Sequence, residues 1–326
     1  MNEITKKVFG AMLAVQRYPW EQGVAAQAAY EAGAENVWVA MAHEAIVRRA
    51  GDGRLAVNNN NIAVTDPAAN GEVCWRAWEL TGDAFYRDGA QKMYDYLMYA
   101  APRTPDGVLY HNNVTFDNRF TSAQLWVDSC FMAPPFIAVM GNVEEAAEQL
   151  RGMFRYLQCK ETKVLFHNYD VGSGKFVRRL RWATGNGWAL MGVARVAVEA
   201  KKRGLTDLYK ELTGMGNELL DAMLRYQQPD GRFFDIMDDE SSYIEGTASM
   251  MMSVYIYRGV LEGWLDRKYL ENAEKAFASV TANIDRFGIL RHVCGCPDFI
   301  REGTSCEAQA SYVMASCWRE KVLAAL

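Results

Sequence analysis

Apolar residues recur along this chain at helical spacing, whereas the strict alternation that marks half-buried strands is scarce. Six segments rich in Ala, Met, Trp and other apolar residues begin near Trp20, Gly71, Gln124, Ala183, Gly246 and Glu307, roughly 50 to 60 residues apart, a period that marks a repeated supersecondary unit. Each of the first five is followed by a more charged amphipathic segment, at about 35–50, 84–100, 143–158, 206–227 and 267–284. The sixth has no successor, but a helix predicted over about 2–16 supplies one if the chain closes on itself. The pattern therefore predicts an all-α fold, an (α/α)6 toroid (barrel) of six helical hairpins. The strongly apolar helices form its inner ring, and the charged ones an outer ring with one face in water. An open solenoid would need polar capping repeats at its ends, and the last apolar segment is as apolar as the others.

The connections are unequal. Those leading from a charged helix to the next apolar one are long, at about 51–66, 101–121, 159–182, 228–243 and 285–304, while those running the other way are short, such as Gly33 to Glu35. In a toroid all the long connections lie at one end, where the inner helices begin, and functional residues concentrate on such loops. These loops carry Gly51, Gly53, Asn58 to Asn61, Gly107, Tyr110, His111, His167, Gly172 and Gly174.

A length of 326 residues suggests about two domains by size alone, but six hairpins closing one ring make residues 1–326 a single catalytic domain. The 9 Trp, 16 Tyr and 14 Phe suit a large core. The net charge of −5 offers no basic field for nucleic acid or an anionic membrane surface. Residues Met1 to Gln16 lack the continuous apolar stretch of a signal peptide. The longest uncharged run, Ser129 to Val143, contains Pro134 and Pro135 and has 15 residues, short of the roughly 20 that a membrane span needs. Seven scattered cysteines suit reduced core thiols better than a disulfide framework, and the expected location is the cytoplasm. Cys294, Cys296 and Cys306, with His292 nearby, do not match a zinc-ligand spacing, so no metal is expected.

Asp128 stands in an apolar segment, Gln124 to Met132, with no cation three or four positions away. Desolvation there would raise its pKa toward the range in which it can give and take a proton near neutrality. The competing reading is a buried Asp satisfied by helix-end amides or a hydroxyl. Asp66, followed by Pro67, reads equally as an N-cap before a first-turn proline or as a chemical group. Arg181 to Trp188 sets two tryptophans around a Gly-Asn-Gly turn, and segment 161–182 holds five basic residues against two acidic ones, so this loop could receive an anion and flat rings could face a sugar. Nucleophile elbows, phosphate loops and dinucleotide fingerprints are absent, and no cofactor is expected.

The chain resembles the unsaturated glucuronyl and rhamnogalacturonyl hydrolases, glycoside hydrolase families 88 and 105. The resemblance rests on Trp20 to Gly23, Asp66 to Gly71, Trp126 to Ser129 followed by Pro134, Pro135 and Phe136, Trp182 to Trp188, and Gly303 to Gln309. It implies removal of a terminal Δ4,5-unsaturated uronic acid from a small acidic oligosaccharide left by a polysaccharide lyase, through hydration of the vinyl ether. By motif, Asp128 would be the general acid and base, and Asp66 would hold ring hydroxyls or orient it. His111 and His167 would contact substrate, and Trp182 and Trp188 would stack on or wall the ring, with Trp20 and Trp126 also among the binding residues. Many members carry Arg where this chain has Thr184, so Arg181, Thr304 and Ser305 are the candidates to bind the uronate carboxylate in its place. A sugar 2-epimerase on the same toroid, relying on paired histidines, and a non-catalytic sugar-binding toroid are the alternatives. No sequence feature fixes the oligomeric state.

Overall fold

The computed structural model describes residues 1–57, 62–113 and 123–326; Asn58 to Asn61 lie outside the described residues. Local chemistry starts and stops the helices where the pattern predicts. In α1 (Glu3–Val15) the Asn2 side chain accepts from the Thr5 amide at 2.9 Å. In α2 (Pro19–Glu31) proline occupies the first turn and Glu21 accepts from the Tyr18 amide at 2.9 Å. Such caps satisfy amides that have no partner within the helix. Helix α3 (Glu35–Val47) follows, then a 3-10 turn (Asp66–Asn70) that leads into α4 (Gly71–Thr81), which Gly82 ends with a left-handed φ of 71°. Helix α5 (Ala84–Asp95) continues into a wider π turn (Tyr96–Ala100).

The third apolar segment departs from expectation. It opens as a strand, β1 (Gln124–Trp126), and becomes helical only at α6 (Ser129–Met132) and α7 (Pro134–Val139). Pro134 and Pro135 lack amide donors and interrupt the ladder between the two short helices. Asp128 therefore stands at the N-cap of α6 rather than inside an inner helix. The chain goes on through α8 (Val143–Leu157), β2 (Asn168–Asp170), β3 (Lys175–Arg178), α9 (Ala183–Lys202) and α10 (Thr206–Leu224). It continues with β4 (Phe233–Phe234), β5 (Ile244–Glu245) and α11 (Thr247–Glu262), a 3-10 turn (Arg267–Tyr269) and α12 (Leu270–Ala282). It ends with β6 (Val293–Cys294), β7 (Glu302–Gly303) and α13 (Cys306–Ala325).

The helices close a ring. Inner helix α2 packs on α4, α4 on α7, α6 and α7 on α9, α9 on α11, α11 on α13, and α13 returns to α2. Outside them, α3, α5, α8, α10 and α12 each cover the inner helix they follow, and α1 covers α13, where the Thr5 and Ser316 hydroxyls meet at 2.8 Å. The inner and outer sets bury themselves differently. Every residue of α9 from Ala183 to Ala200 is buried, whereas α8 buries a stripe that includes Val143, Ala146, Ala147, Leu150, Met153, Phe154 and Leu157, the spacing of a helix wet on one side. The strands pair as β1-β2-β3, β4-β5 and β6-β7, all within the long connections ahead of inner helices. No helix among the described residues is long and apolar enough to cross a membrane.

Two features fix the barrel. Glycines let inner elements approach closely: a Cβ on Gly192 would lie 2.1 Å from the Cys130 backbone carbonyl oxygen, and one on Gly185 would lie 2.3 Å from the Val127 side chain at Cγ1. Gly185-Asn186-Gly187 is thus the first part of α9, not a turn. Asn186 clamps the loop beside it, accepting from the Leu165 amide at 2.7 Å and donating to the Leu165 carbonyl at 2.9 Å. At the end away from the long loops, buried Arg195 of α9 donates to Glu72 of α4 at 2.9 Å and to Glu31 of α2, and lies over the Phe131 ring of α6.

Replacing Gly192 with Ala should destabilise the fold by about 3 kcal/mol, because the clash is with backbone and cannot be relieved by a rotamer. The exposed Gly214 of α10 has nothing within 4 Å of a built Cβ, so Gly214→Ala should stabilise by about 0.5–1 kcal/mol. Chemical denaturation of the two variants checks both signs; equal effects would contradict this account of the ring.

Candidate active site

The long connections bring Asp66, His111 and Asp128 together at the mouth. His111 is held through its backbone, its amide donating to the Gln124 carbonyl at 2.9 Å and its carbonyl accepting from the Val64 amide at 2.8 Å. Its Nδ1 faces both acids, 3.6 Å from Asp128 Oδ2 and 3.9 Å from Asp66 Oδ1. The same nitrogen lies 3.1 Å from Ser129 Oγ and 3.3 Å from Thr65 Oγ1, and those hydroxyls are 3.0 Å apart. All three site residues are buried, and one oxygen of each carboxylate, Asp66 Oδ1 and Asp128 Oδ1, has no hydrogen-bond partner among the described residues. Burial raises both carboxyl pKa values above the ordinary range, opposed by His111; Asp128 raises Asp66 further. Buried carboxyls so shifted are the groups that can carry protons.

Aromatic rings line an arc from this trio. Trp126 stacks on His111, with ring centroids 4.4 Å apart and planes 7° from parallel, and meets His167 edge-on at 5.4 Å. His167 packs on Trp182 at 4.6 Å, Trp182 on Phe299 at 5.3 Å and Phe299 on Trp20 at 6.4 Å, and Tyr18 stacks on Trp20 at 4.5 Å. His167 is buried, and neither of its ring nitrogens has a hydrogen-bond partner among the described residues. Burial, helped by the charges of Arg178 and His111, pushes its pKa down to about 3, so the ring is neutral and offers one donor and one acceptor.

Other residues singled out in the sequence are engaged elsewhere. Trp188 is enclosed in the core against Phe131 at 4.7 Å, because it lies within α9 rather than at its entrance, and presents no wall to a sugar. Thr184 is fully buried and donates to Glu245 Oε1 at 3.2 Å. Arg181 forms an ion pair with Asp238. Ser305 caps α13 by accepting from the Ala308 amide at 3.2 Å, and Thr304 is exposed. His43 lies on α3 beside Phe85, and His292 pairs with Glu302 at 2.9 Å.

The mouth also holds residues that sequence reasoning missed. Phe299 carried no signal, being an isolated aromatic in a loop. Glu307 was visible only as part of a motif. It is buried with neither carboxylate oxygen partnered, and burial pushes its pKa up to about 8, with Glu21 and Asp128 adding to the effect and Arg17 opposing it. Among the described residues, two trios place possible metal-ligand atoms within 4.8 Å of one another: Asp66, His111 and Asp128, and Glu21, Cys296 and Glu307. In the second, Glu21 is already occupied by Arg17 at 3.1 Å and by the Cys296 thiol at 3.1 Å. Cys294 and Cys306 belong to neither.

Comparison with known proteins agrees with this architecture. The Glycosyl Hydrolase Family 88 profile matches residues 1–302. The unsaturated rhamnogalacturonyl hydrolase YesR of Bacillus subtilis is 25% identical over 310 residues, which is 90% of this chain and 83% of that protein. Among solved structures, a possible member of the GH105 family from Klebsiella pneumoniae superposes with a TM-score of 0.82 at 20% identity, over 99% of this chain and 93% of the other. The unsaturated glucuronyl hydrolase of Bacillus sp. GL1 does so with a TM-score of 0.70 at 14% identity, over 96% and 93%.

Glu307 yields a prediction about stability. Its proton is held more tightly in the folded chain, where its pKa is about 8, than in the unfolded chain near the ordinary 4.5. The folded state therefore binds more protons between those values, and the contribution of Glu307 to stability is complete below about 4.5 and is lost as pH rises through about 8. Glu307→Gln, which has nothing to ionise, should reduce the fall in melting temperature between about pH 5 and about pH 8.5. Melting curves at both pH values test this, and an unchanged fall would refute it.

Proposed function

The chain belongs to glycosyl hydrolase family 88, and from that premise we propose that it removes a terminal Δ4,5-unsaturated uronic acid from a lyase-generated oligosaccharide by hydrating the vinyl ether. The observation that carries the proposal is the buried pair Asp66 and Asp128 around His111, each acid with an oxygen free to meet a ligand. The substrate class is supported by the activities of the similar proteins, the unsaturated rhamnogalacturonyl hydrolase YesR and the unsaturated glucuronyl hydrolase of Bacillus sp. GL1. Greater identity to YesR favours the galacturonyl form attached to rhamnose.

In this reading Asp128 is protonated at rest, as its burial favours, and gives its proton to C4. Water adds through its oxygen to C5, and the carboxylate left on Asp128 takes the proton that the water sheds, so the acid ends as it began. The C5 hemiketal then opens by breaking its bond to the ring oxygen, leaving a ketone at C5 and a hemiacetal at C1 that releases the attached sugar. Asp66, raised by burial and by Asp128, meets the ring hydroxyls beside the acid. The Ser129 and Thr65 hydroxyls hold the His111 ring, and Trp126, stacked on it, offers a flat apolar wall beside the reacting ring. His167, neutral and unpartnered, supplies a donor and an acceptor to the sugar, with Trp20 and Trp182 completing the aromatic arc.

Unsaturated uronates absorb in the near ultraviolet, and hydration removes the conjugated bond. Adding the protein to unsaturated galacturonyl-rhamnose should abolish the absorbance, and unsaturated glucuronyl-hexosamine should react more slowly. Asp128→Asn should lower kcat by about 100- to 10,000-fold, the usual contribution of a general acid, with melting temperature unchanged or raised. Persistent absorbance with both substrates would sink the proposal. Ring-proton exchange into deuterated water without cleavage would point to the epimerase.

A further inference from the structure

A carboxylated sugar entering this mouth brings its charge into a site lined by the buried side chains of Asp66, Asp128, Asp235 and Glu307, where a cation would hold it. Position 184 carries a threonine tied to Glu245. Arg181 is committed to Asp238 and Arg17 to Glu21. Arg179 is exposed and lies over the Phe166 and Phe176 rings, 5.0 and 5.9 Å from their centroids.

Arg178 differs from all of these. Among the described residues its guanidinium has no hydrogen bond, ion pair or ring contact, and the side chain is half-buried. Its direction follows from strand register. Trp126 pairs with Asn168, and Asn168 with Arg178, so the three form one row across β1, β2 and β3, and directly paired residues share a face. The next row contains Leu125, Tyr169 and Phe176, on the opposite face, where Tyr169 packs on Phe176 at 5.1 Å. Plain alternation would put Arg178 with Phe176, two residues back. The register shift between Asn168 and Tyr169 leaves Val177 as an extra residue, and this bulge turns Arg178 to the other side, the re-aiming that bulges perform beside functional sites. The face it joins is that of Trp126, whose ring stacks on His111. The Arg178 amide donates to Asn168 Oδ1 at 2.8 Å and holds the bulge in place. The charge of Arg178 also reaches both His167 and Asp235, lowering the proton affinity of each.

We infer that the Arg178 guanidinium binds the carboxylate of the acidic sugar that lies along the Trp126 face of this sheet. The inference rests on the proposed uronate substrate and deepens it. A planar fork of donors fits a carboxylate through two parallel hydrogen bonds. A contact made equally to substrate and transition state is uniform binding, so its loss appears in KM and Kd more than in kcat.

The test uses Arg178→Met, Arg178→Lys and, as a control for charge alone, Arg179→Met. Steady-state rates are measured on unsaturated galacturonyl-rhamnose and on its methyl ester, and calorimetric binding of the acid is measured in the Asp128→Asn background with and without each change. Arg178→Met should raise KM and Kd for the acid about 10-fold or more, the loss of a charge-assisted contact, with kcat within about 3-fold. It should leave the ester unaffected, so that the preference for acid disappears. Arg178→Lys should recover part of the affinity, and Arg179→Met should match wild type. Unchanged Kd for the acid in Arg178→Met overturns the inference, as does an equal loss for acid and ester. A lowered melting temperature with unchanged Kd would mean that Arg178 serves only to neutralise Asp235, which also overturns it. A wild-type protein that leaves the absorbance intact yet binds the acid through Arg178 would defeat the hydration reading and sustain this one. A protein that neither reacts with nor binds the acid defeats both.

Discussion

The position of Asp128 depends on a steric allowance: α9 approaches the segment before and within α6 so closely that no side chain fits on α9 at Gly185 or Gly192. Gly185 and Gly192 are seven residues apart, two helical turns, and so lie on one face of α9. That face cradles Val127 and the Cys130 carbonyl, on either side of Asp128. The acid is thereby held against a fully buried helix rather than by its own short one, since α6 has four residues and could not hold a position alone. Asn186, between the two glycines, binds the 165 loop to the same helix, and Val127 in turn donates its amide to the His167 carbonyl at 3.0 Å. Placement of the acid, of His167 and of the sheet that carries Trp126 thus follows from the first turns of one helix, where glycines admit the neighbouring segment and Asn186 clamps the loop.

Electrostatics at the mouth are set by burial acting against helix ends. Glu21, Asp66, Asp128, Glu245 and Glu307 all lie at or near the N-termini of inner helical elements, where free amides and the helix dipole favour negative charge. Glu245 takes both benefits, accepting from the Thr247 and Ala248 amides, and still burial raises it to about 7. Desolvation wins in each of the four acids whose shift is resolved. The mouth is therefore less negative near neutrality than its count of carboxyls suggests, which lowers the barrier to an anionic ligand.

The ring and its functional end were legible in the sequence because both rest on local, periodic signals: the apolar period, the capping residues, and the difference between short and long connections. Asp128 stood out as a carboxyl in an apolar segment and Asp66 as an Asp-Pro helix start that reads equally as a cap or a chemical group, and the structure places both beside His111. What could not be read depended on contacts distant in sequence. Strand β1 has three residues and pairs with β2 more than 40 positions later, so it has no period of its own and its segment looked helical throughout. Trp182, Thr184 and Trp188 share a motif and are all buried, yet one turn of helix separates Trp182, which packs on His167 and Phe299, from Trp188, which packs on Phe131 in the core. The orientation of Arg178 turns on a single extra residue opposite Asn168, which no composition or spacing reveals.

Arg195 has a consequence for traffic through the barrel. Joined to Glu31 and Glu72 and lying over Phe131, it spans the axis and ties α2, α4 and α9 together at the base. A thread-like ligand that reached Asp128 from the loop end could not emerge on the far side. For the proposed reaction, a base tied in this way makes the barrel a well rather than a tunnel: substrate would enter and products would leave by the same loop-lined mouth.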